Sequence, residues 1–250
     1  MVDGVSEDGR SIYDRIRTVR ERMERAAVSS AREAGDVALV AVTKTRSVEE
    51  IERALSSGFV RFIGENRVQE AETKKTLRSI GGGAAVPWRL IGHLQRNKAR
   101  KALSLFDTVD GVDSPDLAAT LQRILEEDGT NRILPVLIEI NTSGEASKHG
   151  VTPEGAELLL ETILGSCPRL RCDGLMTVGP MSDDEGVVRN AFARLRHLRE
   201  TLSGRLRVPL KELSMGMSGD FEWAIMEGST MVRIGSALFG PRVSAVTLGR

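Results

Sequence analysis

Apolar residues along the chain follow two alternating patterns: short continuous runs rich in Val, Ile and Leu, and longer stretches where they recur every three or four positions. The first pattern reads as strands buried on both faces, the second as amphipathic helices. Ile12, Ile16, Val19 and Met23, with Arg and Glu between them, predict a helix over residues 11–33. Val37 to Val42 is the first buried strand, and it ends in Thr43 and Lys44. Ser47 and Glu50 then form a capping box that opens a helix, and Gly58 closes it.

The same strand-loop-helix unit recurs. Strands are expected at 59–63, 88–91, 106–109, 133–140, 170–176, 213–215 and 231–234. Helices are expected from Val68 to the Gly81-Gly82-Gly83 break, from Arg96, after Ser114-Pro115, after Thr152-Pro153, after the capping box Ser182–Glu185, and over 221–226. Units spaced by about thirty residues, with no Pro/Gly/Ser-rich linker between them, predict one domain over 1–250. That domain is an α/β fold, a closed (β/α)8 TIM barrel with an extra N-terminal helix. An open doubly wound sheet is the competing topology, and no GxGxxG follows any strand to support it.

Composition narrows the function. Thirty-five basic and thirty-five acidic residues cancel, so no overall field draws the protein to nucleic acid or to an anionic membrane. The segment Arg96, Lys98, Arg100 and Lys101 lacks interleaved aromatics and reads as the solvated face of a helix rather than a nucleic-acid patch. The spacing of Cys167 and Cys172 fits neither a redox pair nor a zinc knuckle. The first ten residues lack the features of a signal peptide, and no stretch approaches the ~18 apolar residues of a membrane span. A soluble cytoplasmic protein is expected.

In parallel barrels, ligands bind at the carboxyl ends of the strands, which draws attention to Lys44. A lysine snorkelling to water is the alternative reading there. Phosphate groups are often held by the loops after strands seven and eight. Those loops are Ser214–Asp220, with Ser218 beside a helix start, and Arg233-Ile234-Gly235-Ser236. Each element also has an ordinary explanation: Ser218 as an N-cap, Gly235 as a turn glycine, and Arg233 in a salt bridge to Glu139. Asn66 heads a fair capping box, and Asn141 ends strand five at the same mouth. A strand-end lysine able to form a Schiff base, a phosphate cradle and an arginine placed for a ring nitrogen or an acid together describe a pyridoxal phosphate site.

The stretches AVTK, IGENRVQE, WRLIGHLQRNK, IEINTSGEASKHG, GLMTVGP, LSMGMSGDFEWAI and GSTMVRIGSALFG resemble, in order, the pyridoxal phosphate homeostasis family (YggS/PROSC type), relatives of the alanine racemase barrel. The resemblance implies that Lys44 is the Schiff-base lysine, that Ser218, Gly235 and Ser236 hold the cofactor phosphate, and that Arg233 faces the pyridine nitrogen. Asn66 and Asn141 are implied as further lining residues. Family members usually have an aromatic residue at Ile63, a tyrosine at Arg67, a histidine at Arg89 and a proline at His93, so this chain departs at four positions.

The function implied is that of a carrier: a protein that binds pyridoxal 5′-phosphate as a lysine aldimine, maintains its intracellular supply and serves pyridoxal-phosphate-dependent apoenzymes. A monomer without appreciable racemase activity is expected. The alternative is an amino-acid racemase or decarboxylase using the same aldimine, and a third reading is a lysine aldolase. A racemase needs a second acid/base group opposite the lysine. The resembling racemases draw theirs, a tyrosine, from a separate C-terminal domain, whereas the sole tyrosine here, Tyr13, lies in the N-terminal helix and His93 and Cys172 are poorly placed.

Overall fold

The computed structural model describes residues 10–74, 86–145 and 147–241. Eight parallel strands close into a barrel in sequence order, with the eighth paired to the first. They are β1 (Ala38–Val42), β2 (Phe62–Glu65), β3 (Trp88–Leu90), β4 (Thr108–Val112), β5 (Leu134–Glu139), β6 (Leu170–Met176), β7 (Glu212–Ser214) and β8 (Met231–Ile234). The helices are α1 (Ile12–Ser29), α2 (Val48–Leu55), α3 (Val68–Thr73), α4 (Ala99–Leu105), α5 (Pro115–Glu127), α6 (Ala156–Ser166), α7 (Glu185–Leu206), α8 (Phe221–Met226) and α9 (Ser236–Phe239). The expected barrel and its extra leading helix are both present.

Local signals explain most boundaries. Ser47 accepts from the Glu50 amide while Glu50 returns to the Ser47 amide, so α2 starts where its capping box lies. Ser114 caps α5 with Pro115 at its first position. Ile12, Ile16, Val19 and Met23 of α1 pack with Phe221, Ile225, Leu238 and Phe239 in a core that holds the first helix against the last two. The larger core joins the helices from α4 to α7 to the strands they cover.

Four expectations need correction. β2 and β4 begin later than expected and run on through Gly64-Glu65 and Asp110-Gly111-Val112. The polar and glycine residues there resemble loop, but their side chains turn into the barrel interior or are absent, so the ladder continues. Helix α7 is capped by Asp184, which accepts from the Gly186 and Val187 amides, and not by Ser182. Arg67, not Asn66, stands at the start of α3. The expected Gly81-Gly82-Gly83 break and Leu77 lie outside the described residues.

The barrel interior carries charge. At its amino end, buried Arg89 donates to Asp110 at 2.8 Å and to Glu212 at 2.6 Å, and stacks over Phe62. Burial alone would push Arg89 below the usual arginine range, but Asp110 and Glu212 outweigh it and hold the group above that range.

Candidate functional site

Lys44 stands two residues past β1, on the rim of the carboxyl end of the barrel. Its backbone setting is unusual: Thr45, a β-branched residue, adopts φ +63°, in the left-handed region, where its amide donates to Glu70 at 3.1 Å. Such strain persists only where neighbours over-determine it, and it gathers at functional sites. Behind Lys44 lies a buried knot. Glu65, the last residue of β2, accepts from Thr43 Oγ1 and from Lys74 Nζ, both at 2.6 Å, and Lys74 Nζ also donates to the Thr43 carbonyl at 2.5 Å. Burial nevertheless pushes the Glu65 carboxyl up, against the opposing pull of Lys74 and Thr43. A second lysine therefore lies close to this strand end, held by its own partners, and the sequence pattern of α3 gave no sign of it.

On the same rim, where β8 pairs with β1 and β7 with β8, Met217 N–H donates to Asp220 Oδ1 at 2.5 Å and shapes the loop between β7 and α8. Ser218 Oγ accepts from Ala237 N–H at 3.2 Å, tying that loop to the first turn of α9. A hydroxyl that accepts this way keeps its own proton to donate. Ser218 is not the cap of α8, which begins after Asp220. Nor is Gly235 required by a turn, since its φ is −119°. Its need is steric, because a Cβ there would lie 3.3 Å from the Val42 carbonyl oxygen and 3.4 Å from Val42 Cβ.

Between the two walls lies a cavity of about 290 Å³, and Lys44, Asn66, Ser218, Arg233, Gly235 and Ser236 all line it. Arg233 sits at 4% exposure; its Nη1 donates to Ser214 Oγ and its Nη2 to the Thr177 carbonyl, both at 2.8 Å. The alternative reading, a salt bridge to Glu139, gives way to these two neutral acceptors. Burial lowers Arg233 from the usual arginine range, opposed by Asp110, Glu139 and Asp220. Glu139, buried and with Oε2 unpartnered, is pushed up to about 7 by burial, against the pull of Arg233.

Six of the seven residues singled out in the sequence thus come together. Asn141 does not join them. Its side chain accepts from Ser143 Oγ and Gly144 N–H and donates to the Glu145 carbonyl, so it organises its own loop. The cavity also includes Arg46, whose guanidinium reaches the Phe239 and Gly240 carbonyls and so anchors the β1 loop to α9. Nothing in the sequence distinguished that arginine from a surface one.

The family model for the alanine racemase N-terminal domain matches residues 14–243. A pyridoxal phosphate homeostasis protein from Bos taurus is 40% identical over 91% of this chain and 86% of its own length. One of the same name from Vibrio cholerae is 39% identical over 93% of this chain and 97% of its own. PipY of Synechococcus elongatus, whose structure has been solved with pyridoxal phosphate bound, superposes with a TM-score of 0.77 at 33% identity, covering 92% of this chain and 100% of that one.

Proposed function

The chain belongs to the pyridoxal phosphate homeostasis family, on the barrel of the alanine racemase N-terminal domain, and from that premise we propose that it binds pyridoxal 5′-phosphate through Lys44 and holds it in reserve. The observation that carries this reading is the convergence of an amine, two hydroxyls, a glycine without a Cβ, an amide and a buried guanidinium on one cavity. Those donors fit the group. When bound, it supplies a phosphate dianion and an aldehyde that condenses reversibly with an amine.

The chain's own residues divide the work. Lys44 provides the amine, and the Lys74–Glu65–Thr43 knot fixes the backbone from which it projects. Ser218 and Ser236 offer hydroxyl protons to the phosphate, and Gly235 lets backbone approach it closely. Arg233 is aligned by Ser214 and Thr177, keeps further N–H donors, and would offer them to the cofactor ring. A guanidinium at a ring nitrogen would keep it unprotonated, which suits storage better than carbanion chemistry. Asn66 lines the same wall. Replacing Ser218 or Ser236 by Ala should each weaken cofactor affinity about ten- to hundredfold, the worth of one hydrogen bond to a charged group at ~1.5–3 kcal/mol. Equilibrium titration followed by cofactor absorbance checks this; unchanged affinity in both variants would mean the phosphate lies elsewhere.

The relatives are named for homeostasis rather than for a reaction. Catalysis as a racemase would need an acid/base group facing Lys44. Among the described residues, those lining the cavity include no tyrosine, histidine, cysteine or carboxylate, and Tyr13 bonds to Ser56 on an exposed helix face. Exchange of the α-hydrogen of L-alanine in deuterated water should therefore stay below ~1 s⁻¹, the lower end of ordinary turnover. Faster exchange, with D-alanine formed, would favour the enzyme. The reading extends to a single-domain monomer that delivers its cofactor to pyridoxal-phosphate-dependent apoenzymes in the cytoplasm. No helix among the described residues is long and apolar enough to cross a membrane.

A further inference from the structure

Two of the chain's three histidines meet on the barrel rim, away from the third. His93 follows β3, Asp113 follows β4 and His149 lies in the loop after β5, so three successive strand-end loops each contribute one side chain. The imidazoles stack with centroids 4.3 Å apart and planes 10° from parallel, and His93 Nδ1 lies 3.0 Å from Asp113 Oδ2. One ligand atom from each residue lies within 4.8 Å of the other two. Metal–ligand bonds of ~2.0–2.2 Å span up to about 4.2 Å between ligands, so imidazoles that turn out of their stack by side-chain rotation would bring all three onto one ion.

We infer that His93, Asp113 and His149 form a binding site for a divalent cation of the zinc class. Two imidazoles with one carboxylate select such metals over magnesium or calcium, which take oxygen donors. The backbone beneath the ligands is fixed. A Cβ on Gly92 would fall 2.4 Å from the Asn66 carbonyl oxygen, so the His93 loop is packed against the second strand's end. Beside His149, Gly150 has φ +108°, and Val151 N–H donates to the Glu139 carbonyl at 2.9 Å, returning the loop onto β5. Such preorganisation lowers the cost of gathering the ligands. An open cavity of about 590 Å³ bordered by His93 and Asp113 gives access, and the arginine in it, Arg96, is paired with Asp116.

The test is calorimetric titration of the untagged full-length chain, freed of unbound cofactor, with zinc ion alone. One ion per chain should bind with a Kd of ~10 µM or tighter. His93→Ala and His149→Ala should each weaken binding at least ~10-fold, and His197→Ala should leave it unchanged. His93 and His149 are both exposed, and thermal midpoints without zinc, unchanged between variants and parent, verify that the fold persists. Absence of a saturable one-to-one site, or full affinity in both rim variants, would overturn the inference.

Discussion

Lys44→Ala should yield a colourless protein that carries no borohydride-reducible cofactor. The residues that would grip the phosphate lie on the β7 and β8 loops and not on the β1 loop that carries Lys44, so a non-covalent fraction should remain bound and wash out on dialysis. Lys74 is not expected to substitute. Its Nζ is buried between the Thr43 carbonyl and Glu65, and leaving them would strand a buried carboxylate whose other oxygen already has no partner. Absorbance of the dialysed variant, before and after added pyridoxal phosphate, measures the effect. Retention of the visible band would place the covalent link on another residue.

Arg89→Met should cost about 3–5 kcal/mol of stability, the usual consequence of removing one partner from a buried ion pair. Asp110 is fully buried and one of its oxygens has no partner even with Arg89 present. Removing the guanidinium would leave it facing Glu212 with no counter-charge between them. Burial already holds Glu212 above the usual carboxylate range, with Arg89 pulling the other way. Urea denaturation at neutral pH is the measurement. The double variant Arg89→Met/Asp110→Asn should recover part of the loss, since the stranded charge is gone. A single variant as stable as the parent would show that the network contributes nothing at the amino end of the barrel.

Much of this was legible from residues alone, for physical reasons. Continuous apolar runs mark strands buried on both faces, and a capping box or a Ser-Pro pair marks a helix start, so β1, α2 and α5 fall where the pattern puts them. The errors at β2 and β4 come from barrel interiors that accept Glu65 and Asp110 because Lys74 and Arg89 balance them, a pairing between distant residues that local pattern does not carry. The grouping of six candidate residues on one cavity was legible because they lie at strand ends, where sequence order translates directly into position around the mouth. Asn141 stands apart for the converse reason: an asparagine followed by Thr-Ser-Gly is equally a loop organiser, and its side chain bonds within its own loop. Arg46, Lys74 and the rim cluster of His93 and His149 depend on contacts between separate units, and only the folded barrel brings them together.

Attachment of pyridoxal phosphate to Lys44 is read out by borohydride reduction of the cofactor-loaded protein, trypsin digestion and peptide mass mapping. The modified lysine resists trypsin, so the account predicts a pyridoxyl group on the peptide running from Glu33 to Arg46, fragmenting to place the mass on Lys44. The group found instead on Lys74, Lys98 or Lys211 would contradict it.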